Sequence, residues 1–177
     1  MRVITGLARG VKLITLTGEE TRPTNSRVKE GVFSAINHLL HGAEVLDLFA
    51  GSGQMGIEAL SRGAKRCVFV DNNPNAVDII KKNLVKTRFE NVRVVQSDYR
   101  RYLKSCDEKF DIVFIDPPFG SDADRKSLKL LPDILSHNAT VIHEHSSDMT
   151  AYDDALEIHK EYKYGRIIIT VYRRHTT

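Results

Sequence analysis

The fold is decided by the stretch DLFAGSGQMG at residues 47–56. It belongs to a strand-length apolar run at 45–49 and leads into an amphipathic stretch that ends at Gly63. Its glycines satisfy the pattern G-x-G-x-x-G, in which small residues let the backbone turn tightly between a strand and a helix and approach a ligand closely. Glycine turns also occur for packing reasons alone, so the context of this turn has to decide its role.

Short apolar runs alternate with amphipathic stretches along most of the chain. The predicted strands are at 45–49, 67–70, 92–95, 112–115 and 140–142. The predicted helices begin at Asn25 or Ser26, after Gly53, at Asn73-Pro74, near residue 98 and near Asp122, and the last is interrupted near Pro132. Strands that alternate with helices in this way predict an α/β fold with a mostly parallel, doubly wound sheet.

The two ends of the chain have a different pattern. Two strand patterns, at 156–162 and 166–173, are separated by a few residues that include Gly165. A tight turn between two such runs predicts an antiparallel hairpin that closes the sheet. Residues 2–16 mix apolar and basic positions with two glycines, which predicts a small N-terminal hairpin or arm.

Length and composition favour one catalytic domain. A chain of 177 residues is long enough for one α/β core and too short for two of typical size. We therefore expect a basic arm or hairpin over residues 1–24 and one domain over residues 25–177. The sequence contains no apolar run of the roughly 18 residues that a membrane span needs, no apolar secretory core at its start and no CxxC pair. These features predict a cytoplasmic protein.

The net charge of +3 is concentrated near the N-terminus. Residues 1–31 contain six basic and three acidic side chains, 6 − 3 = +3, so residues 32–177 balance at 20 − 20 = 0. Such a local excess favours contact with phosphates, which dominate the affinity of proteins for nucleic acids. A solvated basic surface without a function would carry the same charge.

Two carboxylates frame the glycine turn. Asp71 ends the next predicted strand 20 residues after Gly51, where an acid can accept hydrogen bonds from the ribose of an adenosine. NAD and S-adenosylmethionine would both use that acid. Asp47 distinguishes them, because its charge would repel a pyrophosphate and attract the ammonium and sulfonium of S-adenosylmethionine. The alternative is that Asp47 binds the amides of its own loop.

Neighbouring residues complete the predicted cofactor site. Phe49 and Gly53 lie in the same turn as Gly51, and Asn72 follows Asp71. Asp98 follows the third predicted strand. Its position predicts either a hydrogen bond to the adenine amino group or an ordinary helix N-cap.

The most informative residues are Asp116-Pro117-Pro118-Phe119, at the end of the fourth predicted strand. Consecutive prolines force the backbone out of the sheet into a fixed loop at the edge where ligands of open α/β sheets bind. The Asp116 carboxylate and the Pro117 carbonyl are two acceptors for the N–H groups of an exocyclic base amine. They would aim its lone pair at a methyl group, so Asp116 also borders the cofactor. Pro118 stiffens this geometry.

Phe119 follows the two prolines and offers an aromatic face. It predicts stacking on a base that has left its helix or loop. The alternative is a rigid loop with Phe119 in the core. The glycine turn and Asp71 favour the catalytic interpretation.

The chain resembles the RsmD-like family of 16S ribosomal RNA guanine-N2 methyltransferases, a branch of the class I Rossmann-like methyltransferases. The resemblance spans nearly the whole chain and is carried by residues 4–10, Arg22-Pro23-Thr24 to Arg27-Val28, 45–53, 58–63, 116–119, Glu144-His145 and Lys163-Tyr164-Gly165. It implies transfer of a methyl group from S-adenosylmethionine to a guanine N2 amine in small-subunit ribosomal RNA, within the RNA or an assembling subunit, by a monomer without a metal. It also implies that the basic N-terminal segment borders the active site.

The predicted substrate-binding residues follow from that segment and from the aromatic loop. They are Arg9, Lys12, Arg22, Thr24, Arg27 and Phe119.

Other interpretations use the same residues. Methylation of adenine N6 or of a protein glutamine amide presents a similar planar amine to a Pro-Pro loop, and a nucleotide-binding module would also use the glycine turn. His143 and His145 flank Glu144 on one strand, yet no third ligand stands at a familiar metal-binding spacing, which favours structural histidines.

Overall fold

A computed structural model describes residues 1–16, 26–118, 122–146 and 155–174. The helices are α1 Ser26–Leu40, α2 Gln54–Ser61, α3 Pro74–Thr87, α4 Tyr99–Ser105 and α5 Ala123–Leu130, with a 3₁₀ turn at Pro132–Ile134. The strands are β1 Glu44–Leu48, β2 Arg66–Asp71, β3 Val92–Gln96, β4 Phe110–Ile115, β5 Leu135–Ser146, β6 Leu156–Tyr164 and β7 Ile167–Arg174.

The strands form one seven-stranded sheet in the order β3-β2-β1-β4-β5-β7-β6. The first five strands are parallel, and β7 pairs antiparallel with both β5 and β6. The predicted doubly wound sheet with an antiparallel hairpin at its end is confirmed. The order reverses between β1 and β4, which is where open α/β sheets bind ligands.

Two apolar cores lie on opposite faces of the sheet. Along β4, Phe114 belongs to the core shared with α1, α2 and α3, and Val113 to the core shared with α4 and α5. Successive side chains of a strand point to opposite faces, so a strand covered on both sides is apolar throughout. The near-continuous apolar runs of the sequence follow from this double coverage.

The N-terminal residues fold back on the helices of the first face. A single antiparallel bridge joins Arg2 and Lys12, and Val3 and Leu13 are buried beside it. The predicted hairpin is therefore present in its smallest form. No helix among the described residues is long and apolar enough to cross a membrane.

Candidate active site

Three neighbouring strands end level with one another at one edge of the sheet. In the register, Leu48 of β1 lies opposite Val70 of β2 and Ile115 of β4. The next residues along these strands are Phe49, Asp71 and Asp116. Since adjacent strands are about 4.8 Å apart, the structure brings the glycine turn, the predicted ribose acid and the predicted catalytic loop together.

The glycine turn is tied to Asp71 through the backbone. The Gly51 amide donates to one carboxylate oxygen at 2.8 Å, and the Asn73 amide donates to the other at 2.9 Å. Gly51 has a φ of 54°, and a Cβ built there would meet no heavy atom within 4 Å. The outer face of the turn is therefore open, which suits close approach of a ligand.

The third glycine of the pattern has a packing role instead. A Cβ at Gly56 would lie 2.3 Å from Phe69 Cε1 and 2.6 Å from Cys67 Sγ on β2. Only a residue without a side chain allows α2 to lie this close to the sheet. This close packing fixes the first turn of α2 behind the loop.

Asp47 lies beneath the turn and is only 3% exposed. It accepts a hydrogen bond of 2.8 Å from the Gly56 amide, as the loop-amide alternative predicted, and its effect on a cofactor stays a prediction. Burial raises the pKa of its carboxyl from 3.8 to about 7, against the opposing effect of the Gly56 hydrogen bond. A cation bound at the open face of the turn would favour the ionised form.

Phe49 has a strained backbone at the head of the turn, with a φ of 64°. Such strain in a residue other than glycine concentrates at functional sites. Its ring packs against Tyr99 with 5.0 Å between centroids. This contact shapes one wall of the edge where β1 and β3 end.

A groove of about 540 Å³ opens beside Asp71 at the ends of β2 and β3. Asn72 and Asp98 line it, together with Ser97 and Arg101. Asp98 caps α4 by accepting hydrogen bonds from the Arg100 amide at 2.9 Å and the Arg101 amide at 3.3 Å. The capping alternative is confirmed, and contact with an adenine stays a prediction.

The loop after β4 differs chemically from the glycine turn. Asp116 is half-buried, Pro117 is buried and Pro118 is exposed. Neither proline has a backbone N–H, so these two positions offer main-chain carbonyl acceptors without donors. Phe119 lies outside the described residues.

Of the predicted RNA-binding residues, those that the structure describes are Arg9 and Lys12, and Arg9 lies away from this edge. Arg9 and Lys12 are exposed, but the neighbouring Leu7 amide donates to the carbonyl of Ser61, the last residue of α2. Because α2 begins at the glycine turn, Ser61 lies at its far end. Arg22, Thr24 and the Arg27 side chain lie outside the described residues.

Two buried polar residues that the sequence analysis missed dock the N-terminal residues. Glu58 on α2 accepts from the amides of Ile4 at 2.8 Å and Thr5 at 3.1 Å, and it forms an ion pair with Lys29 at 3.3 Å. Burial lowers the pKa of Lys29. The sequence does contain a signal for this role of Glu58, because it is a charged residue in a helix that is otherwise apolar on this face.

Asn83 on α3 connects the N-terminal residues to the glycine turn. Its side chain accepts from the Ile14 amide at 2.8 Å and donates to the carbonyls of Ile14 and Ser52, each at 2.9 Å. It is fully buried and lies in the helical stripe of Ile80 and Leu84. An asparagine inside an apolar stripe signals a buried partner.

The two histidines of β5 have structural partners. His143 lies 2.8 Å from an Asp124 oxygen, and His145 lies 2.8 Å from the Thr170 hydroxyl. Their rings stack with 4.7 Å between centroids. Within the described ranges, no group of three or more His, Cys, Asp or Glu residues is arranged to hold a metal ion.

Comparison with known proteins identifies the family of this arrangement. A family described as "Conserved hypothetical protein 95" matches residues 1–173, which is nearly the whole chain. The chain belongs to this family, the RsmD family. The resemblance inferred from the sequence is confirmed.

Individual members of the RsmD family are similar along their full length. Ribosomal RNA small subunit methyltransferase D of Escherichia coli K12 is 32% identical over 178 residues, covering 98% of this chain and 90% of that protein. YlbH of Bacillus subtilis is 34% identical over 183 residues, covering 98% and 99%. The solved structure of yhhF from Escherichia coli has a TM-score of 0.91 at 32% identity, covering 100% and 99%. The fold is that of the Rossmann-like class I methyltransferases.

Proposed function

We propose that this protein transfers a methyl group from S-adenosylmethionine to the exocyclic N2 amine of a guanine in 16S ribosomal RNA. One observation carries the proposal. The open glycine turn and the Asp116-Pro117-Pro118 loop, whose two prolines offer acceptors and no donors, leave the sheet from adjacent, level strands at the switch point of its order. A donor held by the first loop and an amine held by the second would meet between them.

The residues at the edge fit the adenosine part of S-adenosylmethionine. Asp71 is half-buried, accepts hydrogen bonds from the Gly51 amide of the turn and from the Asn73 amide, and lies at the edge where the ribose hydroxyls would lie. Asn72 and Asp98 border the adjoining groove, which suits an adenine. Gly51 leaves room for the ligand at the turn.

Asp47 favours S-adenosylmethionine over a dinucleotide. A buried carboxylate under the turn makes the site unfavourable for a pyrophosphate and favourable for an ammonium or a sulfonium. S-adenosylmethionine, when bound, supplies a methyl group activated by its positive sulfur. The protein contributes the negative charge of Asp47 beneath the glycine turn.

The loop after β4 matches an amine that must donate two hydrogens. The Asp116 carboxylate and the Pro117 carbonyl would each accept one N–H, which frees the nitrogen lone pair from the ring and directs it at the methyl carbon. The proton that the amine loses on methylation would pass toward Asp116 or water. Phe119 would stack on the flipped guanine. Positioning therefore supplies most of the catalysis.

The substrate class is supported by the named relative. The Escherichia coli protein is a ribosomal RNA small subunit methyltransferase. In this chain, Arg22 and Thr24 precede α1, and Arg27 belongs to its first turn. We propose that these residues contact the RNA near the target and that Arg9 and Lys12 contact it further away. A monomer acting on an assembling small subunit in the cytoplasm completes the proposal.

Tritiated S-adenosylmethionine tests the substrate directly. The protein is incubated with 16S ribosomal RNA, with small subunits that lack the modification, with DNA and with protein acceptors. We expect label only in the ribosomal samples, and nuclease digestion with mass spectrometry should find N2-methylguanosine. Label in adenine or in a glutamine amide would contradict the proposal.

A further inference from the structure

We propose that the turn between β6 and β7 is a second RNA-binding element, which holds phosphates of the strand that flanks the target guanine through Lys163 and Arg166. The inference rests on the proposed function, because it takes the RNA at the Asp116 loop as its starting point. Among the N-terminal basic residues that the structure describes, Arg9 lies near the last turn of α2, away from the Asp116 loop, so it does not supply these contacts.

The turn lies at the same edge of the sheet as the active site. The strands follow the order β4-β5-β7-β6. At about 5 Å per strand spacing, β7 lies about 10 Å from β4, and β6 lies about 5 Å beyond β7. Ile115 of β4 pairs with His143, and Ile167 at the start of β7 pairs with Ser146, three residues further along β5. At about 3.3 Å per residue, the hairpin therefore extends about 10 Å beyond the end of β4. It forms a wall beside the catalytic loop.

This wall carries a local charge surplus that the overall balance of residues 32–177 conceals. Around the turn, residues 160–167 contain the three basic side chains of Lys160, Lys163 and Arg166 and one acidic side chain, that of Glu161, 3 − 1 = +2. Lys163 and Arg166 are exposed, and among the residues that the structure describes neither has an ion-pair partner. Two unneutralised cations on a raised edge are suited to phosphate oxygens.

The turn is held in place before any RNA binds. Gly165, with a φ of 64°, allows the tight connection. On one side, Tyr164 packs on α1, where its hydroxyl lies 2.6 Å from the position of a Cβ on Gly31. Because the backbone of the turn is fixed, the two cations are presented together, and binding costs less entropy than it would on a mobile segment. The contact also connects the hairpin to α1, the helix that follows Arg22 and Thr24 and contains Arg27.

An RNA strand fits this surface better than an acidic protein does. The two cations flank a site that accepts one base, and the strand on either side of that base has to leave the site past one of its walls. Phosphate contacts position a strand without reading its sequence. We therefore expect the hairpin to contribute to affinity and orientation and to leave the chemistry unchanged.

The test compares two double variants of the full chain. Lys163→Gln with Arg166→Gln removes both cations of the turn. Lys104→Gln with Lys129→Gln removes two exposed lysines from the last turns of α4 and α5, which end at the opposite edge of the sheet. Affinity for 16S ribosomal RNA is measured by fluorescence anisotropy between 50 and 200 mM salt, and methylation kinetics are measured on the same RNA.

We expect the hairpin variant to bind the RNA about tenfold more weakly and to raise its KM similarly. The slope of log K against log salt should fall by about 1.4, the value for two contacts to a single strand. The kcat and the affinity for S-adenosylhomocysteine should stay within twofold of the wild type. Equal affinity and slope in the hairpin and control variants would overturn the inference. A wild type that methylates no RNA would instead overturn the proposed function, since the binding comparison is independent of methylation.

Discussion

The two loops of the candidate active site are built on opposite chemical principles. The glycine-rich segment after β1 donates backbone hydrogen bonds to buried or half-buried carboxylates. The Gly51 amide donates to Asp71, and the Gly56 amide donates to Asp47. The loop after β4 places two prolines behind Asp116, so it lacks donors at these positions. The first loop can accommodate a ligand that approaches its backbone, and the second offers only hydrogen-bond acceptors at Pro117 and Pro118. This difference assigns the cofactor to the glycine turn and the amine to the loop after β4. Substitutions in each loop test the assignment separately.

The largest effect should come from the acceptor loop. Asp116→Ala removes the carboxylate that would hold the amine, so kcat should fall by roughly 10² to 10³, the range found when one hydrogen-bonding group is removed from a transition state. Binding of S-adenosylhomocysteine, measured by calorimetry, should stay within twofold. Asp116→Asn keeps an acceptor oxygen and should retain intermediate activity. Full turnover by the alanine variant would remove Asp116 from the mechanism.

The cofactor loop should respond in the opposite way. Asp71→Ala removes a charged acceptor from the ribose position, together with its hydrogen bonds to the Gly51 amide of the turn and to the Asn73 amide. We expect affinity for S-adenosylhomocysteine to fall roughly 10- to 100-fold, which corresponds to about 1.5–3 kcal/mol. The matched control is Asp78→Ala, which removes an exposed carboxylate from α3. Equal affinity in both variants would contradict the assignment of Asp71.

Substitutions of Gly56 and Gly51 should affect the stability of the protein and its affinity for the cofactor differently. Gly56→Ala places a methyl group against Phe69 and Cys67, so the free energy of unfolding should fall by about 1–3 kcal/mol. Gly51→Ala meets open space, costs roughly 1 kcal/mol for its positive φ and should mainly weaken cofactor binding. Chemical denaturation and calorimetry on both variants make the comparison. Similar losses of stability would show that the outer face of the turn is not open.

The smallest effect concerns pH. Because burial raises the pKa of Asp47 from 3.8 to about 7, the folded protein binds more protons than the unfolded chain within that window. The stability of the cofactor-free protein should therefore fall as pH rises through it. Asp47→Asn should remove this slope, while Asp78→Asn should not. The affinity for S-adenosylmethionine should rise a few-fold from pH 6 to pH 8 in the wild type alone. An unchanged slope in Asp47→Asn would show that another group titrates.

The strands of the sheet could be predicted from the sequence because helices cover both faces of the sheet, so each parallel strand is a nearly continuous apolar run. It was less successful with β5, predicted at 140–142 and observed over Leu135–Ser146. Polar residues occupy both ends of that strand, and His143 and His145 are buried there by partners on α5 and β7. Burial of a polar side chain depends on a partner that local spacing does not reveal.

The same limit applies to the N-terminal residues. The sequence predicted an arm and a charge surplus, and the surplus suggested a place beside the active site. The position of Arg9 depends instead on hydrogen bonds between residues 4–8 and α2, which join positions more than 50 residues apart. The glycine turn and the proline loop were predictable because each is a local motif whose conformation its own residues fix.

A crystal structure of the protein with S-adenosylhomocysteine and guanosine would show whether the glycine turn and the Asp116 loop bring the cofactor and the amine together. We expect the sulfur to lie between the glycine turn and Asp116. The guanosine amine should donate to the Asp116 carboxylate and the Pro117 carbonyl, with its nitrogen positioned about 3–3.5 Å from where the methyl carbon would lie. A cofactor bound elsewhere, or an Asp116 carboxylate directed away from the sulfur, would contradict the account.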